Sequence, residues 1–327
     1  MLTYSVAIRT LGTGGENFRR ELLSIANQTV QPEKTIVYIA EGYKRPEFQI
    51  GKEEYVWVKK GMMAQRALPY TEITSDCILT LDDDVELSPT FAETMLESMD
   101  SNRIDVLGAD VFKVHNMSIK AKIFAGITNL VFPSYSSKYA FRIKPNGSFN
   151  YLNHPNPETY LSQSCAGPAI LWKKQILSKI RLCDELWLDS FRFPFGEDQL
   201  MVYKVFSNNY KLGVCYAAEL SNLNSQTSSD TYRKSPDRFY IRSKAMFTTW
   251  WRMLYKPYGN TRKGSRKALI FGMLKFIWLT FVMAGTTIYL LNPTVFTSHI
   301  KGLRDGLKFV KSTEYTNLPP YIFPQQH

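Results

Sequence analysis

Cysteine is scarce: the 327-residue chain has four, Cys77, Cys165, Cys183 and Cys215. They form no C-x-x-C pair and stand near no histidine cluster. That argues against a structural zinc site and a disulfide scaffold, and it fits a reducing cytosol. A leader pattern is also missing. MLTYSVAIRTLG has no basic stretch followed by a long apolar core, so no secretory signal is expected there. Gly12-Thr13-Gly14-Gly15 falls short of G-x-G-x-x-G, and no acid follows about 20 residues later in the matching context, which disfavours a dinucleotide-dependent redox enzyme.

The third shortage is local. Residues 231–311 hold 16 Lys+Arg but only two acids, Asp237 and Asp305, a net +14 within a chain whose total is +11. The remainder is therefore slightly acidic. The same region contains the longest apolar run, Ala268 to Leu291, 24 residues with Lys275 as its single charge. Lys256, Arg262, Lys263, Arg266 and Lys267 precede it, and Lys301, Arg304, Lys308 and Lys311 follow. Such basic flanks are drawn to an anionic leaflet at roughly 1 kcal/mol each. About 20 apolar residues suffice to span a bilayer. Basic residues on both sides, Lys275 within, and Gly272 and Gly285 count against a simple span and favour an interfacial or re-entrant segment. A membrane surface is the expected partner, with a span or a buried core helix as the alternatives. Nucleic acid is not expected, although Trp250, Trp251, Tyr255 and Tyr258 lie among the basic residues.

The first 110 residues alternate β-branched runs with helical periodicity, the pattern of βαβ units on a largely parallel sheet. Strands are expected at Tyr4–Arg9, Thr35–Ala40, Tyr55–Val58 and Cys77–Leu81. Helices are expected at Glu16–Gln28, with Phe18, Leu22, Ile25 and Ala26 on one face, at Met62–Pro69, and after Ser88-Pro89, with Ser88 as N-cap. Residues 113–164 lose this periodicity and are rich in aromatics, Asn, Pro and Ser. An irregular insertion of that length is often functional. Beyond it, Ala166–Trp172 and Tyr210–Tyr216 read as strands, and a helix follows Gly196-Glu197-Asp198.

Two acidic clusters carry chemistry. Asp82-Asp83-Asp84 ends the run CILTL. Adjacent carboxylates at a partly buried strand end repel one another unless a cation is present. Mg²⁺ or Mn²⁺ binds carboxylate oxygens together with those of a diphosphate. In open α/β sheets, ligands bind at the carboxyl ends of strands. Glu197-Asp198 opens a helix, where acids favour the dipole. Equally, such a pair can supply the general base that takes a proton from a hydroxyl nucleophile.

The motif order resembles the family 2 glycosyltransferases of GT-A fold, bacterial surface-polysaccharide type, over roughly Tyr4 to Tyr216. The matching pieces are SVAIRTLG, LLSIANQTVQPEKTIVYIAEG, GMMAQRAL, ILTLDDDVELSP and FGEDQL. The resemblance implies a Rossmann-like mixed sheet flanked by helices, residues 1–222 as the catalytic domain with 113–164 on the acceptor side, and residues 223–327 as a helical, membrane-associating extension. It implies inverting, metal-assisted transfer of one sugar, a hexosyl, N-acetylhexosaminyl or rhamnosyl group, from a nucleotide-diphosphate sugar to a lipid-linked or glycan acceptor at the cytoplasmic face of the cell membrane. By position, Thr10 and Glu41 would line the base and ribose pocket and Arg66 would stand on the nucleotide side. Asp82 and Asp83 would face ribose and diphosphate, and Asp84, with Asp82, would hold the metal. Asp198 would be the base, supported by Glu197.

Departures are the residues Arg9, Glu41 and Ala67 at positions where the family often has Pro, Asp and Asn. No Q-x-x-R-W follows the base, which speaks against a processive synthase. Arg242 and Lys244, in RFYIRSKAMF, are candidates for meeting the diphosphate, and solvated or lipid-facing charge explains them equally. Tyr135, Tyr139, Phe141, Phe149, Tyr151 and Tyr160 of the insertion suit sugar rings, with plain packing as the alternative. Two other classes fit parts of the chain: a sugar-nucleotide nucleotidyltransferase, for which the loop after strand one is a poor match, and a non-enzymatic basic membrane adaptor.

Overall fold

The computed structural model describes residues 2–111, 113, 118–129, 132–134, 139–191, 196–223, 235 and 237–324. Its first strands are β1 (Tyr4–Thr10), β2 (Thr35–Ala40), β3 (Glu54–Val58) and β4 (Cys77–Asp82), then the short β5 (Val85–Leu87) and β6 (Val106–Ala109). Within the insertion, β7 (Phe132–Ser134), β8 (Phe141–Ile143) and β9 (Phe149–Leu152) make a small sheet of their own. They are followed by β10 (Thr159–Leu161), β11 (Ala169–Lys173), β12 (Leu212–Cys215) and β13 (Leu220–Asn222). The main sheet has the order β10-β12-β6-β11-β4-β1-β2-β3, and β13 pairs with β5 beside it. All main-sheet strands run parallel except β10 and β11. The Rossmann-like mixed sheet expected from the sequence is present.

Alternation along β1 divides the core. Val6 and Ile8 face α1 (Gly15–Ala26) and α2 (Phe91–Ser101), packing with Phe18, Leu22, Ile25, Phe91, Met95 and Met99. Ala7 turns to the other face with Ile36, Tyr38, Tyr70 and Ile78. Every residue of β1 is buried, as a central parallel strand covered on both faces must be.

Several local expectations fail for identifiable reasons. Ala26 is exposed because α1 ends there. Ser88 is not an N-cap: its carbonyl accepts from Phe91 N at 3.0 Å, Pro89 O accepts from Thr29 N at 2.8 Å, and α2 starts after Thr90. Residues 62–66 form a single turn, and no regular helix continues to 69. The turn there is held from outside, because the Asp189 carboxylate accepts from Met63 N and Ala64 N, each at 2.8 Å. The insertion is also more regular than its composition suggested, since α3 (Ile119–Asn129) precedes its three strands.

The remaining helices are α4 (Lys174–Ile180), α5 (Glu197–Ser207), α6 (Arg238–Trp250), α7 (Arg266–Leu290), α8 (Thr294–Phe309) and α9 (Thr313–Thr316). A 3-10 segment, Leu182–Ser190, precedes α5, and a π-helical turn, Trp251–Tyr255, extends α6. The C-terminal third shares a core with the sheet domain. Trp187, Leu188, Phe191 and Leu200 pack in one cluster with Phe247, Trp250, Phe276, Tyr315 and Tyr321. Within that contact, Glu185 is bound by both Lys204 of α5 and Arg252 of the π turn. The apolar run forms α7, which by length and composition could cross a membrane.

Candidate active site

Five segments meet at the carboxyl edge of the sheet. The β1–β4 register sets Arg9 directly beside Asp82. Arg9 is buried, and its guanidinium donates to Asp82 Oδ1 through Nη2 at 2.6 Å and Nε at 3.2 Å. The same Nη2 donates to Gly167 O at 3.2 Å, just before β11. Next along β1, the Thr10 hydroxyl donates to Asp83 Oδ2 at 2.5 Å and accepts from Gly12 N at 2.7 Å.

Arg66 closes the group from the turn anchored by Asp189. Its Nη2 lies 3.7 Å from Asp82 Oδ1 and 3.5 Å from Asp198 Oδ1, so one buried cation bridges the two acidic clusters. The adjacent Gln65 fastens the turn to the sheet by donating to Thr10 O at 3.2 Å and Tyr38 O at 3.3 Å.

Asp198 arrives from the first turn of α5. Gly196, at φ +85°, supplies the left-handed residue that starts this helix. Gly167 N donates to Asp198 Oδ2 at 3.2 Å, while Oδ1 has no hydrogen bond. A Cβ on Gly167 would collide with that carboxylate, so glycine is required there for the approach. One oxygen is thus fixed by the backbone, and the other, buried and without a hydrogen bond, stands 3.5 Å from the Arg66 guanidinium.

The electrostatics follow from these neighbours. Burial would raise Asp82, but Arg9 and Arg66 outweigh it and hold the carboxyl below its usual range. Burial pushes Asp83 up to about 6; Asp82 and Asp84 add to the rise and the Thr10 hydroxyl opposes it. Burial raises both Glu197 and Asp198, with Asp198 adding to the rise at Glu197 and Arg66 opposing it at each. A sixth carboxylate that sequence reading passed over, Glu21 of α1, is fully buried behind the cluster; burial together with Asp83, Asp84 and Asp82 raises it, and the Val85 N–H opposes the rise.

Among the described residues no three His, Cys, Asp or Glu side chains gather as a metal cage. A hard divalent ion fits a different arrangement, in which one or two carboxylates share the ion with substrate phosphates. Asp82 is already engaged by two guanidiniums. Asp83 and Asp84, beside the buried Glu21, form an all-oxygen donor set with excess negative charge, which suits such an ion.

Thr10, Arg66, Asp82, Asp83, Glu197 and Asp198 are therefore brought into one neighbourhood. Glu41 is exposed just past the end of β2, and its backbone N–H is bound by Val58 O at 2.8 Å. Lys244 faces the C-terminal helices: its ammonium lies 4.3 Å from the Phe191 ring centroid and 5.5 Å from that of Phe309, and the acids that act on it are Asp305 and Glu314. The insertion aromatics pack on other rings: Phe141 on Phe149, Tyr139 on Phe206 and Tyr160 on Tyr216. Tyr151 is buried, and Tyr135 lies outside the described residues. Arg9, Gln65, Gly167 and Asp189 were not singled out from sequence as site residues; only Arg9, by falling where the family often has Pro, carried a signal.

No protein-family model matches the chain, and no curated protein matches it in sequence. Solved structures do. GalNAc-T7, crystallised with UDP, GalNAc and Mn²⁺, superposes with a TM-score of 0.51 at 11% identity, covering 90% of this chain and 59% of that one. Residues 1–349 of S. aureus TarS, in complex with UDP-GlcNAc, give a TM-score of 0.51 at 12% identity, covering 94% of this chain and 81% of that one. This chain thus spans less than two-thirds of the GalNAc-T7 structure. At these identities the likeness speaks for architecture: the chain has the GT-A glycosyltransferase fold, with its two acidic clusters joined by Arg66 at the carboxyl edge of the sheet.

Proposed function

We propose that this chain is an inverting glycosyltransferase of the family 2, surface-polysaccharide type. It would transfer one sugar from a nucleotide-diphosphate donor to a lipid-linked or glycan acceptor at the cytoplasmic face of a membrane. The observation that carries this reading is the Asp198 carboxylate, with one oxygen fixed by Gly167 and the other, without a hydrogen bond, beside Arg66 and the strand-end aspartates. GalNAc-T7 and TarS, which share the fold, were crystallised with UDP or a UDP-sugar, and this supports a nucleotide-sugar donor.

In this mechanism the Asp198 carboxylate takes the proton of the acceptor hydroxyl as the hydroxyl oxygen attacks the anomeric carbon and the bond to the diphosphate breaks. Partial burial raises the affinity of Asp198 for that proton, which suits a general base. Glu197 keeps a second acid beside it. Arg66 orients the base and places positive charge where the leaving diphosphate gathers negative charge. Arg9 keeps Asp82 ionised and fixed. Asp84, with Asp83, would hold Mg²⁺ or Mn²⁺, which when bound supplies charge neutralisation at the diphosphate.

A screen of UDP-, GDP- and dTDP-sugars for donor hydrolysis, with Mn²⁺ or Mg²⁺, tests the reading. Release of nucleoside diphosphate from a preferred donor, lost in chelator and restored by metal, is expected. Pyrophosphate release from a nucleoside triphosphate and a sugar phosphate would instead establish a nucleotidyltransferase.

A further inference from the structure

We propose that α3 and α7 together form one surface that seats in the headgroup–acyl boundary of an anionic bilayer, with α7 lying in the membrane plane and not crossing it. The inference deepens the acceptor reading above, because it brings a helix of the acceptor-side insertion to the lipid.

Helix α7 has two distinct faces. Ile270, Leu274, Ile277, Phe281 and Ile288 recur at helical spacing along one side, and Phe281 is 68% and Ile288 74% exposed. The opposite face is buried in protein. Phe276 packs on Phe247 and Trp250, Gly272 lies against the Trp250 indole, and Thr280 meets His299 of α8 at 3.2 Å. Lys275, the only charge within the apolar run, is on this buried face. The side turned away from the protein is therefore apolar from Ile270 to Ile288.

Helix α3 extends that side, although it lies some 150 residues earlier in the chain. Ile119, Ile123 and Ile127 recur at every fourth position and are all more than half exposed. The Trp278 indole donates to Ile127 O at 2.9 Å, joining the two helices. α3 begins ten residues after β6, whose carboxyl end shares the sheet edge with Asp82–Asp84. Ten residues reach at most about 35 Å, so the start of α3 lies within that distance of the sheet edge.

The chain cannot cross the bilayer here and keep its fold. After α7 it returns as α8, whose 16 residues cover only about 24 Å against a hydrocarbon core of about 30 Å. Gly302 of α8 packs on the backbone of α6, and the Tyr321 hydroxyl donates to Leu200 O of the catalytic helix at 2.5 Å. Both ends of α7 thus belong on the side of the sheet domain. Charge decides the occupant. Exposed Lys120, Arg262, Lys263, Arg266, Lys267, Lys301, Arg304 and Lys308 lie on or beside the apolar elements, so a second copy would meet like charge and anionic headgroups opposite charge.

Flotation of the full chain with vesicles of phosphatidylcholine, with and without phosphatidylglycerol, tests this. Binding should require phosphatidylglycerol and weaken in high salt. The pairs Ile123→Glu with Ile127→Glu and Leu274→Glu with Ile277→Glu should each weaken it by roughly tenfold or more at unchanged donor hydrolysis. In the parent chain, shallowly brominated lipids should quench Trp278, read as the difference from Trp278→Phe, and the C-terminus should stay open to added protease. Equal binding to neutral vesicles, an α3 pair that binds normally, a protected C-terminus, or a dimer that dissociates on these substitutions without any flotation would each overturn the proposal. Flotation needs neither donor nor acceptor, so a chain that floats but transfers nothing refutes the transferase reading alone.

Discussion

Replacing Glu185 by Gln tests whether the C-terminal helices are part of the catalytic body. Glu185 is fully buried. Its Oε1 accepts from Lys204 Nζ at 2.9 Å and Arg252 Nη2 at 2.8 Å, and its Oε2 from Arg252 Nε at 3.0 Å and Trp187 Nε1 at 2.9 Å. Burial alone would raise its pKa, but Arg252, Lys204 and these donors bring it down from 4.5 to about 2. That difference is worth roughly 3 kcal/mol, and removing one partner of a buried ion pair costs about 3–5 kcal/mol because the others stay buried and uncompensated. Glu185→Gln should therefore lose about 3–5 kcal/mol at neutral pH, seen as a melting temperature lower by about 5–15 °C. Because the folded pKa is depressed, the contribution is complete above pH 4.5 and disappears as pH falls through about 2. Urea titrations followed by circular dichroism across that window should show the parent losing its advantage while the variant does not. A variant as stable as the parent at pH 7, or one that weakens in parallel with it on acidification, would refute the reasoning.

Three further outcomes follow from the site. Asp189→Ala frees the turn that carries Arg66, so kcat/KM for the donor should fall by about tenfold or more, with partial recovery in Asp189→Asn; unchanged kinetics would separate Arg66 from the site. Gly167→Ala forces the Asp198 carboxylate aside, so transfer should drop by roughly 100-fold while the melting curve moves little. Asp84→Asn should weaken Mn²⁺ binding, measured by titration calorimetry with the nucleotide diphosphate present; equal affinity in parent and variant would remove Asp84 as a ligand.

The parts of this site that were legible in the sequence are those set by local pattern. The apolar run before Asp82 shows that this triplet ends a strand, and Gly196 followed by two acids shows a helix start. What long-range register decides was not legible. Arg9 meets Asp82 only because β1 and β4 pair in one alignment, and Gly167 touches Asp198 only because β11 enters antiparallel. The helix expected at 62–69 shrinks to one turn, in which Gln65 N and Ala67 N bond back to Gly61 O and Met63 O and only the Met63 and Ala64 N–H groups are held by the distant Asp189. In the C-terminal third, composition marked α7 as apolar, yet only the packing of α6 and α8 shows which face is covered.

Asp198→Asn, assayed for sugar transfer and for donor binding on the same preparation, tests the central claim most directly. The amide keeps the shape and the Gly167 contact but cannot take the acceptor proton. The account predicts that nucleotide-sugar affinity stays within a few-fold of the parent while transfer falls by about 100-fold or more. Transfer at the parental rate would contradict the assignment of Asp198 as the base, and with it the mechanism proposed for this chain.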